Sequence, residues 1–294
     1  MKKLYLIFIV LLLSVSAFCK EMTFSVLDVG QGLCCVIISP DRHCMVFDCG
    51  TQGSRKNPVN KSPFSNVLDP YLKENAIKKI DYLCLSHPNT DHYSGFPELV
   101  KKYPIGKYIK NGFKSDTPAY NELMKTLAKK HLSAQVARAG QTFMLGSDVK
   151  CTVLSPIHNY ETKNDNDQSL IIRVQYKKTS FLLMGDAGSK AEREAVKKYG
   201  RGLASTVLLA AHHGSNSSSC YDFLIKVSPK AAIISCGFNN RYGHPHQEVL
   251  KRLKQIRCNV YRTDLMGAIV CRSDGNRITV SKSKRKSKKN KFVL

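Results

Sequence analysis

The chain has no tryptophan, and among its 294 residues only 22 acidic side chains stand against 46 lysines and arginines, a formal net charge of +24. Without indole rings there is little to line a hydrophobic small-molecule pocket. No composition break, Pro/Gly/Ser-rich linker or internal repeat divides the middle, so a single domain is expected rather than two small ones. There is no Cys-x-x-Cys pair, although the chain has 11 cysteines. Most of them (Cys34, Cys35, Cys44, Cys84, Cys151, Cys236, Cys271) lie inside apolar runs, where a thiol behaves as a small buried hydrophobe. Disulfide-stapled secreted modules are short, whereas a hydrophobic content of 43% is ample for a core, so packing is the expected role, with one or two bridges left open. Cys49, beside Asp48, is likewise assigned to packing rather than ligation. The first apolar run, Leu4 to Leu13, is too short for a full membrane span. Preceded by Met1-Lys2-Lys3 and followed by Val15-Ser16-Ala17, it reads as a signal peptide over residues 1–17, implying an exported, periplasmic or secreted chain. Cys19 raises a lipoprotein alternative, which Phe18 directly before it disfavours.

What is present begins with Ser86-His87-Pro88-Asn89-Thr90-Asp91-His92, which crowds four potential ligands, His87, Asn89, Asp91 and His92, behind the apolar run Ile80 to Leu85. Ligands at the C-terminal end of a strand, before a helix begins, sit at a mouth open to solvent. Imidazoles and carboxylates together suit a catalytic transition metal, Zn²⁺ first and Mn²⁺ second. Three further apolar runs end in the same chemistry. Phe181 to Met184 runs into Gly185-Asp186, Val207 to Ala211 into His212-His213-Gly214-Ser215, and Ala231 to Cys236 leads to Asn239-Asn240-Arg241-Tyr242-Gly243-His244-Pro245-His246. Such repeated polarity predicts one shared site. Neighbours on an extended strand point to opposite faces, so only one of His212 and His213 is expected to ligate unless the chain turns there.

Strand patterns cover Thr23 to Ser39, Cys44 to Asp48, Ile80 to Leu85, Val149 to Leu154, Leu170 to Tyr176 and Thr179 to Met184. Helical patterns cover Asp69 to Ile77, Ala119 to His131, Lys190 to Tyr199 and His246 to Ile256. Lys177-Lys178 reads as a hairpin turn that places Asp186 just past the second strand. Mixed α/β order with antiparallel stretches suits a four-layer αββα sandwich over residues 22–280.

The motifs in their order resemble the metallo-β-lactamase fold, and within it the hydrolase-like domain of ComEC-type bacterial DNA-uptake proteins. The resemblance is carried by Leu27-Asp28-Val29-Gly30-Gln31-Gly32, Val46-Phe47-Asp48-Cys49-Gly50, the Ser86 to His92 stretch and Asn166-Asp167-Gln168-Ser169-Leu170. It continues through Gly185-Asp186, His212-His213-Gly214-Ser215, Tyr242-Gly243-His244-Pro245, Thr263-Asp264 and Gly267-Ala268. Two positions depart from the pattern. Leu33 stands where the family usually has an acid, and Asn89 where it usually has Asp, or His in the wider fold. An amide oxygen is a poor zinc ligand. The resemblance therefore implies one firmly held metal, built by Asp91, His92, Asp186 and His212 or His213, with a doubtful second position at His87 and Asn89. It also implies Asp91 as the residue that orients water and accepts its proton, His244 as a donor to the leaving group, and Asp48 as support for the ligands. Ser215, Asn239 and His246 are the candidates for substrate contact.

The basic excess points to a polyanion partner, DNA or another phosphodiester, since a positive field gathers polyanions without sequence selectivity. Residues 281–294, almost entirely basic and polar, are expected to form a disordered tail, with an anionic membrane surface as its alternative partner. A counterpart of the long transmembrane channel of the DNA-uptake proteins is not expected in this chain, nor is the chain expected to move DNA itself. The leading expectation is an exported metal-dependent phosphodiesterase or nuclease. The alternatives are a hydrolase of a lactone, thioester or β-lactam, and a non-catalytic polyanion-binding module.

Overall fold

A computed structural model describes residues 21–52, 62–158, 165–283 and 291–293. The expected signal peptide lies outside these residues. The strands, in chain order, are β1 (Met22–Val26), β2 (Cys34–Ile38), β3 (Cys44–Cys49), β4 (Ile80–Leu85), β5 (Ile105–Lys110), β6 (Ala134–Val136), β7 (Thr142–Leu145), β8 (Val149–Ser155), β9 (Ile171–Tyr176), β10 (Thr179–Leu183), β11 (Val207–Leu209), β12 (Ala231–Ile234), β13 (Asn259–Arg262), β14 (Ile269–Ser273), β15 (Ile278–Lys282) and β16 (Lys291–Val293). They form one sheet in the order β16-β15-β14-β1-β2-β3-β4-β5-β6 and a second in the order β13-β12-β11-β10-β9-β8-β7. The helices are α1 (Asp69–Glu74), α2 (Thr90–Tyr93), α3 (Phe96–Lys102), α4 (Pro118–Lys129), α5 (Ser189–Tyr199), α6 (Tyr221–Val227), α7 (Gln247–Gln255) and α8 (Thr263–Met266).

The layering follows from strands that are apolar on both faces. In β2, Cys35 and Ile37 enter the core between the sheets, whereas Cys34, Val36 and Ile38 pack beneath α3 and α4. In the second sheet, Phe181, Leu183, Val207 and Leu209 face the first sheet, and Leu182 and Leu208 meet α5, α6 and α7. Alternating side chains with no polar face are what a strand covered on both sides requires. The three cores define the expected four-layer αββα sandwich. Phe24 of β1 meets Phe181 of β10 across the central core with ring centroids 5.1 Å apart. Such an aromatic contact adds about 0.5–1.5 kcal/mol beyond the area it buries. On α4, Tyr120, Leu123 and Leu127 supply the buried stripe at the i, i+3, i+7 spacing of one helix face.

Two expectations change at their edges. The run Thr23 to Ser39 is two antiparallel strands rather than one, because Gly30-Gln31-Gly32 turns the chain between β1 and β2. The expected break at residue 281 falls inside β15, and β16 pairs back onto it, so the boundary of the tail moves. Residues 284–290 lie outside the described residues. The Lys177-Lys178 turn joins β9 to β10 as expected, with Lys177 at positive φ. Every cysteine among the described residues is an unpaired thiol. No helix among them is long and apolar enough to cross a membrane.

Both sheets run their parallel strands toward one mouth. The strands β3, β4 and β5 are mutually parallel, as are β10, β11, β12 and β13. Their C-terminal ends deliver Asp48, His87 to His92, Asp186, His212-His213 and Ser235 to a common place.

Candidate metal centre

Asp91, His92, Asp186 and His213 converge: one donor atom from each lies within 4.8 Å of the others, and all four residues are buried. His92 Nε2 is 3.2 Å from Asp186 Oδ1, and His213 Nε2 is 3.4 Å from Asp91 and 3.6 Å from Asp186. His87 Nε2 stands 3.9 Å from the same Asp186 carboxylate. Despite this crowding, His87 Nε2, His92 Nε2, His213 Nε2 and Asp186 Oδ1 make no aligned hydrogen bond. Buried polar atoms without partners are rare, because each costs its full desolvation. Several of them aimed at one point are a ligand set, and two imidazoles with two carboxylates suit a divalent transition metal.

The far side of each ring fixes which nitrogen faces inward. His92 donates from Nδ1 to Asp48 at 2.8 Å, and His213 donates from Nδ1 to the Ser235 carbonyl at 2.9 Å. Each imidazole is thereby left with Nε2 toward the cluster, the tautomer that ligates. Asp48 is held in turn by the Ser86 amide at 2.7 Å and the Ser86 hydroxyl at 2.6 Å. Ser86 and Ser235 are positioning residues that the sequence reading did not single out. A hydroxyl or carbonyl beside a ligand leaves no signature in spacing.

Charge is arranged to match. Burial opposes ionisation of Asp186, but the His92 and His213 imidazoles outweigh it and hold the carboxyl well below its usual range. Asp91 is likewise held low against burial, by its contact with His213 and the charge of His92. The reciprocal effect raises His92 and His213, where the facing carboxylates outweigh burial. His87, penalised by burial and by His92, is pushed down to about 3 and is neutral, a lone-pair donor.

The adjacent histidines correct an expectation. His212 and His213 do not lie on an extended strand. Both occupy the left-handed region, with φ of 51° and 56°, in the turn that follows β11. The turn lets both approach Asp186, His212 Nε2 at 3.7 Å from a more open position. Asn89 is half-buried at the start of α2, and its NH₂ donates to the Asn166 amide oxygen at 3.4 Å.

The substrate-side candidates divide. His244 is buried beside the cluster, its ring 6.2 Å from that of His213 and nearly parallel to it. Burial, with His213 and His212 nearby, pushes it down to about 4. The amide oxygen of Gln31 accepts the Gly237 N–H at 3.1 Å, which turns its NH₂ toward His244 Nδ1 at 3.4 Å. This leaves the proton of the neutral ring on Nε2. His246 accepts the Asn216 N–H at 3.0 Å and faces His244 edge-on. Asn239 is exposed, and its neighbour Asn240 holds the loop instead, donating to the carbonyls of Gly237 and His244 and accepting the amides of Tyr242 and His244. Ser215 bonds Ser217, whose hydroxyl meets His212 Nδ1 at 3.2 Å. Not all of the basic excess is free to meet a polyanion: Lys110 is buried and donates to the Phe113 carbonyl, and Lys102 is paired with Asp69 at 2.6 Å.

The serine-rich loop is fastened from below by Glu192, a fully buried carboxylate that accepts the amides of Ser219 at 2.6 Å and Cys220 at 2.8 Å. Burial outweighs those bonds and raises Glu192 from 4.5 to about 7. With its folded pKa above its ordinary value, its contribution to stability is complete below pH 4.5 and is lost as pH rises through about 7. The offset corresponds to about 3 kcal/mol. In urea melts of metal-free protein the change in stability between pH 4.5 and pH 8 is expected to differ between wild type and Glu192→Gln by about that amount, the wild type losing more, and equal pH dependence in both would refute the assignment.

A four-layer sandwich with a His/Asp cluster at its strand ends defines a fold of metal-dependent hydrolases. The chain belongs to the metallo-β-lactamase superfamily, whose family model matches residues 27–237. It is similar to competence proteins of the ComEC type: ComE operon protein 3 of Bacillus subtilis, at 30% identity over 85% of this chain and 33% of that protein, and competence protein ComA of Neisseria gonorrhoeae, at 32% over 85% and 32%. The chain thus spans about a third of the length of these relatives. Among solved structures, the diiron β-hydroxylase CmlA from Streptomyces venezuelae superposes with a TM-score of 0.56 at 11% identity, over 86% of this chain and 54% of that one. The metallo-β-lactamase fold protein YhfI from Bacillus subtilis gives 0.51 at 13% identity, over 82% and 95%. Both are likenesses of fold.

Proposed function

We propose that this protein is an exported metal-dependent phosphodiesterase that cleaves DNA or another phosphodiester polyanion. The observation that carries the reading is the convergence of Asp91, His92, Asp186 and His213, among which His92 Nε2, His213 Nε2 and Asp186 Oδ1 are buried without hydrogen-bond partners. The net charge of +24 and the likeness to competence proteins favour a polyanionic substrate over a lactone, thioester or β-lactam.

Asp91, His92, Asp186 and His213 would hold Zn²⁺ or Mn²⁺, with His87 supplementing them. Such a cation supplies Lewis acidity, acidifying water and neutralising charge that develops on a phosphoryl oxygen. The chain's own groups do the rest. Asp91, ionised and fixed by His213, orients a water and accepts its proton. His244, neutral and protonated on Nε2, offers a hydrogen bond to a phosphoryl or departing oxygen. Asp48 and Ser86 keep His92 in register.

The test is cleavage of single- and double-stranded DNA and of bis(p-nitrophenyl) phosphate with added Mn²⁺ or Zn²⁺, with EDTA, and in Asp91→Ala. Metal-dependent turnover is expected, abolished by EDTA and reduced about 10²- to 10⁴-fold in Asp91→Ala. Bound metal without turnover on any phosphodiester would shift the reading to another scissile bond. Neither metal nor turnover would favour the polyanion-binding module, the reading suggested by Asn89 and Leu33 standing where the family usually has acids.

A further inference from the structure

From the metal centre outward, four side chains stack in one column. The rings of His213 and His244 lie 6.2 Å apart at 26°, those of His244 and Tyr242 lie 5.5 Å apart at 21°, and the Arg241 guanidinium sits 4.8 Å from the centroid of Tyr242. The column begins in the buried cluster and ends in solvent, where Arg241 and Tyr242 are exposed. Among the described residues Arg241 is anchored by neutral groups: one of its nitrogens donates to the Gln52 amide oxygen at 3.1 Å and to the Tyr242 hydroxyl at 2.6 Å. The Tyr242 hydroxyl also donates to Gln52. No carboxylate among the described residues pairs with Arg241, and the segment that follows Gln52, residues 53–61, contains no acidic residue.

A guanidinium usually loses rotamer freedom when it binds, and it usually has a carboxylate to compete with the ligand. Among the described residues neither applies: the plane is fixed by stacking and by Gln52, and no carboxylate pairs with it. Planar, preorganised, uncompensated arginine is the side chain best suited to a phosphate, which it can bind through two parallel hydrogen bonds. Phe238, 66% exposed on the same loop, adds an apolar ring of the kind on which an unpaired base stacks.

We propose that Arg241, positioned by Gln52 and Tyr242, is a substrate-binding residue that anchors a phosphate of a single-stranded nucleic acid outward along the strand from the one at the metal centre. The proposal rests on the phosphodiesterase reading and narrows its substrate to a strand that extends beyond the scissile group. Lysines spread over the surface raise the local concentration of a polyanion, whereas Arg241 fixes where along the strand the cut falls.

The experiment measures binding of a fluorescein-labelled 12-nucleotide DNA strand to the whole protein in EDTA by anisotropy, over a range of salt. It compares wild type, Arg241→Gln, Arg241→Lys, Gln52→Ala and Lys197→Gln, the last removing an exposed charge on α5 remote from the loop. Loss of a phosphate contact on a single strand lowers the salt slope by about 0.7. Arg241→Gln is therefore expected to weaken binding about tenfold with that change of slope. Arg241→Lys is expected to recover affinity only in part, Gln52→Ala to lose less than Arg241→Gln, and Lys197→Gln to match wild type. With metal added, KM for the 12-nucleotide strand is expected to rise about tenfold in Arg241→Gln at unchanged kcat, while bis(p-nitrophenyl) phosphate, which has no second phosphate, is cleaved as by wild type. Equal weakening by Arg241→Gln and Lys197→Gln, with wild-type cleavage intact, would overturn this inference alone. A wild type that neither binds nor cleaves the strand would remove the phosphodiesterase reading and this inference with it.

Discussion

Asp186→Asn is expected to lose the metal and with it about 10³-fold or more in kcat, since a catalytic cation supplies several kcal/mol of stabilisation. No other side chain touches so much of the site. Its carboxylate faces His87 at 3.9 Å, His92 at 3.2 Å, His212 at 3.7 Å and His213 at 3.6 Å. The substitution is nearly isosteric, so the shape of the site is kept while a charge and one strong ligand are removed. What remains is Asp91 with His92 and His213, too little negative charge for a divalent ion in a buried place. Thermal melts separate the loss of metal from the loss of fold. At a metal concentration a hundred times its Kd, binding adds about 2.7 kcal/mol to stability. For a domain of this size that raises Tm by about 5–10 °C. Wild type is expected to show this rise on adding Mn²⁺ or Zn²⁺ after EDTA, and Asp186→Asn to show none while starting from a similar metal-free Tm. A variant that keeps its metal-dependent rise would show that Asp186 is not a ligand and that the cluster binds its ion elsewhere.

The same residue shows how far the sequence could be read. Asp186 was legible because Gly-Asp ends an apolar strand, and so were His87, Asp91 and His92 behind β4. The strands were legible because residues such as those of β2 are apolar at every position, a pattern that only burial on both faces allows. Hidden from the sequence were the features made by backbone torsion and by backbone groups. The left-handed pair His212 and His213 breaks the alternation that spacing assumes, and so brings both rings to Asp186. Ser235 acts through its carbonyl, which every residue has, so its identity carries no signal. Asn239 and Asn240 are chemically identical in the sequence. Torsion alone places the first in solvent and the second at the hinge of the His244 loop.

Gly50→Ala tests the part of the site made from backbone alone, and its effect is expected to rival that of removing a ligand. Gly50 follows β3 and lies directly against α2, the turn that carries Asp91 and His92. A Cβ at Gly50 would stand 2.2 Å from the Asp91 carbonyl carbon and 2.3 Å from the His92 nitrogen. No flexible side chain is there to yield, so the peptide between two candidate ligands must move. That peptide is also tied in place: Leu33 donates to the Asp91 carbonyl at 3.0 Å, and Gly50 donates to the Leu33 carbonyl at 2.9 Å. One methyl group therefore pushes on three segments at once. Overpacking of this kind costs about 1–3 kcal/mol where neighbours can adjust, and the upper end or beyond is expected here. Displacing Asp91 and His92 by even a fraction of their separation from Asp186 also spoils the ligand geometry, so metal affinity is expected to fall at least about tenfold. Gly112→Ala is the control, because its Cβ would meet a Val136 methyl at 3.4 Å and the flexible end of Arg138 at 3.6 Å, both ordinary contacts, and a change within about 1 kcal/mol is expected. The paired measurement is urea unfolding without metal and metal titration of the folded protein. Loss of affinity exceeding what the loss of stability explains would show that the close approach of Gly50 to α2 sets the geometry of the centre. Unchanged affinity in a merely less stable protein would show that α2 finds its position from Asp48 and Ser86 instead.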